Sequence, residues 1–150
     1  MLQPVITRLQ EIIAELPEQL AQFSAEEMAH RPAPCKWSKK EILGHLADSA
    51  LHNLQRFCYA QLSGGLYAFE RYPQDDLVRL NNYQNLPAEQ IVALWVGLNR
   101  QIVAVLEAMP EGRLGQFVRL PDGETATLHW LIEDYLGHME HHLRQILPQD

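Results

Sequence analysis

Ser38-Lys39-Lys40-Glu41-Ile42-Leu43-Gly44-His45-Leu46-Ala47-Asp48 is the stretch on which the fold turns. Serine followed three residues later by glutamate is a capping box, and Ile42 and Leu43 follow it at once, so a helix starts at Ser38. The pattern continues to about Leu62, where Ser63-Gly64-Gly65 ends it. Just upstream, Arg31-Pro32-Ala33-Pro34-Cys35-Lys36-Trp37 cannot be helix, because each proline pushes its predecessor toward extended backbone. Ser24 and Glu27 make a second capping box over a short turn. Further back, Val5, Leu9, Ile12, Ile13 and Leu16 recur at helical spacing from about Pro4 to Leu16, with Pro17 read as the interruption.

Downstream, residues 66–86 are less regular, with a short helix expected around Asp75 to Tyr83. Pro87 suits a first helical position. Ile91, Leu94, Trp95, Leu98, Ile102, Val105 and Leu106 then mark a third long helix ending at Met109-Pro110. Residues 111–126 contain the turn Pro121-Asp122-Gly123, and Phe117-Val118-Arg119-Leu120 reads as one strand of a small hairpin. Thr127 is placed to cap a last helix from Leu128 to about Leu147. Four long helices without a repeat or linker imply an all-α chain. We expect one four-helix-bundle domain over residues 1–150, with a long crossover connection.

The chain's 150 residues are 47% hydrophobic and 21% charged, with a formal charge of -7. That acidity gives no general attraction to phosphate backbones, so no nucleic-acid partner is expected. No basic amphipathic stretch suggests a membrane surface, and the longest apolar run, Ile91 to Leu98, is far below the roughly 20 residues of a membrane span. The first residues lack a signal-peptide plan. Cys35 and Cys58 form no CxxC pair or disulfide framework. A cytoplasmic location is the resulting expectation.

Seven histidines are left outside the charge count, and three of them fall at 138, 141 and 142. His138 and His142 are four apart, so on a helix they share a face with Cβ atoms about 5–6 Å apart. Two imidazoles so placed can share one metal at about 2.0–2.1 Å per nitrogen. His141 points roughly 60° away. His45 is the oddity of the second long helix, and a core histidine and a third ligand are both open readings for it. A three-histidine site would leave coordination positions free, as catalytic metals require.

Pro34-Cys35-Lys36-Trp37-Ser38 leading into Gly44-His45-Leu46 resembles the DinB-like superfamily, in which a Trp-Ser loop enters a helix bearing a His-Leu pair. His138-Met139-Glu140-His141-His142-Leu143-Arg144-Gln145-Ile146 is similar to that family's C-terminal His-x-x-His-His motif followed by Gln-Ile. The resemblance covers most of the chain. It implies an up-down-down-up, DinB/YfiT-like bundle, frequent homodimers, and a divalent transition metal held by His45, His138 and His142. Zinc and nickel lead, with iron and manganese behind, since imidazoles alone do not choose. Family relatives include bacillithiol and mycothiol S-transferases. The implied function is a metal-dependent transferase joining a low-molecular-weight thiol to an electrophile, because an open metal position holds a thiol as its nucleophilic thiolate. A hydrolase using metal-bound water and a non-catalytic dimerisation module are the alternatives. Cys35 departs from the glycine often found before the family's Lys-Trp-Ser and is read as a buried, inert thiol.

Around this site, Glu41, His45, Ser49, His52 and Arg56 project within about 40° of one line along the helix. Such a stripe is either a solvated face or the lining of an open bundle end. In the second case His52 and Arg56 are candidates for contacting an anionic substrate. Asp48 and Asp134 are candidates for orienting ligand imidazoles, and Gln145 for closing the floor. Glu140 is expected to be exposed, and Trp37, Trp95 and Trp130 to pack. His30 and His129 have no special case.

Overall fold

A computed structural model describes residues 1–148. Ser38 caps α3 (Lys39–Leu62) as expected: its hydroxyl accepts from the Glu41 amide while the Glu41 carboxylate accepts from the Ser38 amide. Arg31 grips the same carboxylate through two nitrogens at 2.8 and 3.1 Å, tying the proline loop to the helix start. Burial alone would raise the Glu41 pKa, but the bonds from Arg31 and Ser38 outweigh it and hold the carboxyl below its ordinary range. The Ser24 capping box likewise opens α2 (Ala25–Ala29).

Pro17 does not end the first helix. α1 runs Gln3–Leu20 through it. Proline costs one intrahelical bond, yet Leu16 and Leu20 on either side are buried, and the Ala21 amide still reaches the Pro17 carbonyl at 3.1 Å. Packing of the apolar face therefore overrides the local break.

Lys40 Nζ donates to the Leu86 carbonyl just ahead of α5 (Ala88–Ala108), so α3 and α5 start together and run parallel. Lys39 Nζ reaches the Ile146 carbonyl at the end of α6 (Leu128–Ile146), which makes α6 antiparallel to α3. Gln10 meets Glu107, while Leu20 shares a groove with Ala88 and Val92, so α1 opposes α5. The order is up-down-down-up, as expected. The long crossover between α3 and α5 contains β1 (Tyr67–Ala68), α4 (Gln74–Leu80) and a 3₁₀ turn at Tyr83–Asn85. The expected hairpin is β2 (Phe117–Arg119) with β3 (Thr125–Thr127), turning at Gly123 with φ +92°. β1 adds a parallel third strand that pairs Tyr67 with Val118, and it has no clear signal in the sequence.

Trp95, Phe57, Leu9, Leu43, Ile102 and Ile132 fill the bundle core. The apolar character of α5 extends beyond Ile91 to Leu98: by length and composition alone it could cross a membrane, with a mean hydropathy of 1.5. Within the bundle it buries Ile91, Trp95, Ile102 and Leu106, together with Asn99, whose Oδ1 accepts from Tyr135 Oη at 2.6 Å.

Candidate metal centre

The capped start of α3 places His45 two turns inside the bundle, fully buried. α6 runs back past it and presents His138 and His142 from successive turns. His138 Nε2 lies 3.1 Å from His142 Nε2 and 3.5 Å from His45 Nε2. One ligand nitrogen from each ring lies within 4.8 Å of the others. Nitrogens bound tetrahedrally at about 2.0–2.1 Å from one ion stand roughly 3.3–3.4 Å apart, so two of the three edges already have coordination spacing. The spatial convergence that the spacing alone left open is present.

Protonation favours the same reading. Burial first, then the neighbouring rings, lowers the His45 pKa to about 3 and that of His138 to about 4. Burial also lowers His142. Neutral imidazole is the form that ligates. The amide oxygen of Gln145 lies 2.8 Å from His142 Nδ1. An amide oxygen can only accept, so Nδ1 carries the proton and Nε2 keeps its lone pair for the centre. Gln145 therefore holds the His142 ring in place rather than closing a floor.

Neither aspartate has that role. The Asp48 side chain accepts from Tyr83 Oη at 2.6 Å and from Asn81 Nδ2 at 3.1 Å, and its other oxygen is buried without a partner among the described residues. His45 Nδ1 is likewise buried without an acceptor among the described residues. Asp134 makes no bond to a ring among the described residues. It lines a cleft beside His138, and burial raises its pKa.

The α3 stripe faces inward. Glu41, His45 and Ser49 are buried, while His52 and Arg56 are half-buried. Ser49, Asn53 and Arg56 line the cleft, which has a volume of about 470 Å³. Further walls come from Phe69 and Tyr72 of the crossover, from Leu120 to Asp122 of the turn between β2 and β3, and from Trp130, Asp134 and Tyr135 of α6. His52 is not among the lining residues. Its ring stacks on Tyr72 at 4.1 Å and its Nδ1 bonds the Asp48 carbonyl at 2.8 Å. Trp37 packs as expected, and it does so on His45, with the ring centres 4.9 Å apart. Trp130 also lies on the cleft, whereas Trp95 is buried in the core.

Other positions differ from expectation. Cys35 is exposed, because the proline loop holds residues 31–36 at the surface. Glu140 is half-buried, pairing with Arg8 of α1 at 2.7 Å. His141, by contrast, points away from the pair as expected: it is exposed, with its ring 5.2 Å from that of His142. The crossover aromatics Phe69 and Tyr72 were missed. Their segment has neither helical nor alternating periodicity, and only their composition hinted at a wall.

An up-down-down-up helical bundle with three imidazoles converging between its second and last long helices, beside an open cleft, defines the class. A family model described as the DinB superfamily matches residues 8–146, and the chain belongs to that superfamily. A relative from Oceanobacillus iheyensis, described as "Putative metal-dependent hydrolase", is 27% identical over 132 residues, covering 87% of this chain and 75% of the relative. Among solved structures, YfiT from Bacillus subtilis is described as "a probable metal-dependent hydrolase with an unusual four-helix bundle topology". It matches with a TM-score of 0.84 at 22% identity, covering 94% of this chain and 81% of that one. A mycothiol-dependent maleylpyruvate isomerase matches with a TM-score of 0.74 at 12% identity, covering 95% of this chain and 60% of that one. At these identities the two solved structures show a shared fold.

Proposed function

We propose that this chain is a metal-dependent enzyme in which His45, His138 and His142 hold one divalent transition metal, and that it joins a low-molecular-weight thiol to an electrophile. The observation that carries the reading is the convergence of three neutral imidazole nitrogens, one of them, on His138, in the wall of a cleft large enough for a small molecule. When bound, such a metal lowers the pKa of a nucleophile in its open position, whether thiol or water. The chain's own residues do the rest. Gln145 fixes the tautomer of His142. Trp37 packs beside His45, which is shut off from solvent. Asp134, one turn before His138, is the group placed to hold or release a proton in the cleft.

Hydrolysis is the second reading, favoured by the descriptions of the Oceanobacillus relative and of YfiT. A closed, non-catalytic metal site is disfavoured by the cleft beside His138. The dimer stays part of the proposal, supported by the half-open apolar outer side of α5, where Leu94 is 45% exposed.

Elemental analysis of the purified chain beside His138→Ala tests the first step. Absence of metal after supply without chelator overturns the reading. Thiol-conjugation assays run in parallel with ester and amide hydrolysis then separate the two reactions. Activity that survives loss of all three histidines would place the chemistry elsewhere.

A further inference from the structure

The cleft runs away from the histidines between α3 and α6, and its far end has a different chemistry. Arg56 stands 11 residues beyond His45 on α3, but the Tyr72 ring that it approaches is itself 6.5 Å from the His45 ring, so the two groups lie within about 12 Å of each other. Its guanidinium lies 4.1 Å over the Phe69 ring and 5.5 Å from that of Tyr72. Among the described residues a single hydrogen bond, to the Glu70 carbonyl at 3.0 Å, engages one of its five N–H donors. No carboxylate comes within ion-pair distance of it among the described residues, although Asp122 and Asp134 line the same cleft. Burial lowers its pKa. Arg71, exposed on the crossover, adds a second cation to the lining.

A half-buried guanidinium that lies over aromatic rings, with no counter-ion among the described residues, contributes little as a structural element. It is a good receptor for a planar oxyanion, which its fork can bind through two parallel bonds. We propose that Arg56, assisted by Arg71, is a carboxylate-binding subsite, and that the substrate is an elongated molecule whose acid end lies at Arg56 while its reacting end lies at the histidines. This rests on the reading of the cleft as the substrate site. Binding at a remote anchor is one way an enzyme positions the reacting end.

The probe is 4-phenylbutanoate against its neutral amide, titrated calorimetrically into the full chain as purified. The acid is expected to bind at least tenfold more tightly than the amide. Arg56→Met is expected to remove that preference and leave amide binding unchanged. Arg56→Lys, which keeps the charge but loses the fork, is expected to fall between, and it decides the matter if the methionine variant does not fold. Equal binding of acid and amide, no acid binding at millimolar concentration, or a preference that survives Arg56→Met overturns the subsite. The same titration on His138→Ala separates this claim from the metal. A preference that persists there supports the subsite, and one that disappears assigns the carboxylate to the metal instead. Metal content, measured independently, decides the metal reading whatever the titrations show.

Discussion

Gln145 Oε1 lies 2.8 Å from His142 Nδ1, three residues earlier on α6, so a side chain at the helix surface sets which nitrogen of a buried-facing ring is free. Partners of this kind typically contribute 10–100-fold in metal affinity. Gln145→Leu should weaken metal binding at least about tenfold, measured by competition with a chelator. Gln145→Glu, which restores an acceptor, should recover most of it. Equal affinities for all three proteins would contradict the role.

His138 is the ring shared by both short nitrogen–nitrogen contacts. His138→Ala should therefore lose metal more completely than His141→Ala, whose side chain is exposed and lies outside the cluster. Metal-to-protein ratios from elemental analysis give the answer, with about one ion per chain expected before mutation.

Acid should destabilise the metal-free protein through this cluster. In the unfolded chain each histidine takes up a proton as pH falls through about 6.5. In the folded chain burial delays that uptake to about 4 for His138 and about 3 for His45. The unfolded state then binds more protons, so stability is full above about pH 6.5 and declines as pH drops toward 3. Urea midpoints measured at pH 7, 6 and 5 should fall in that order, and less steeply in His138→Gln. A midpoint independent of pH would refute the cause.

Tyr83 packs directly on Gly44, and a methyl group there would stand inside its ring. Gly44→Ala must displace Tyr83 and with it the bond to buried Asp48. Overpacking of this kind costs about 1–3 kcal/mol. A drop in melting temperature of several degrees is expected, because about 1 kcal/mol moves a chain of this size by roughly 2–4 °C. An unchanged melting temperature would mean that the ring moves freely.

Ser24, Ser38 and Thr127 were legible as helix starts because each cap is a local hydrogen bond between residues three apart. The pairing of His138 with His142 was legible for the same reason, as one turn of helix. Arrival of His45 at that pair was not, since it depends on how α3 and α6 pack across 93 residues of chain. The family resemblance supplied it. Pro17 misled because a local break yielded to burial of Leu16 and Leu20. Asp48 misled because its partners, Asn81 and Tyr83, come from the crossover, whose path no periodicity announces.

Phe69 and Tyr72 reach the cleft from a connection anchored by a two-residue strand, whereas the histidines stand on long helices. Part of the cleft wall is thus carried by a segment outside the helices that bear the histidines. Phe69 faces the cleft without touching a histidine ring, whereas Tyr72 joins that wall to His52 and His45, so only the former varies independently of the imidazoles. Under the proposed reading, a change at Phe69 would retune the fit of a bound molecule while the three-histidine cluster is kept.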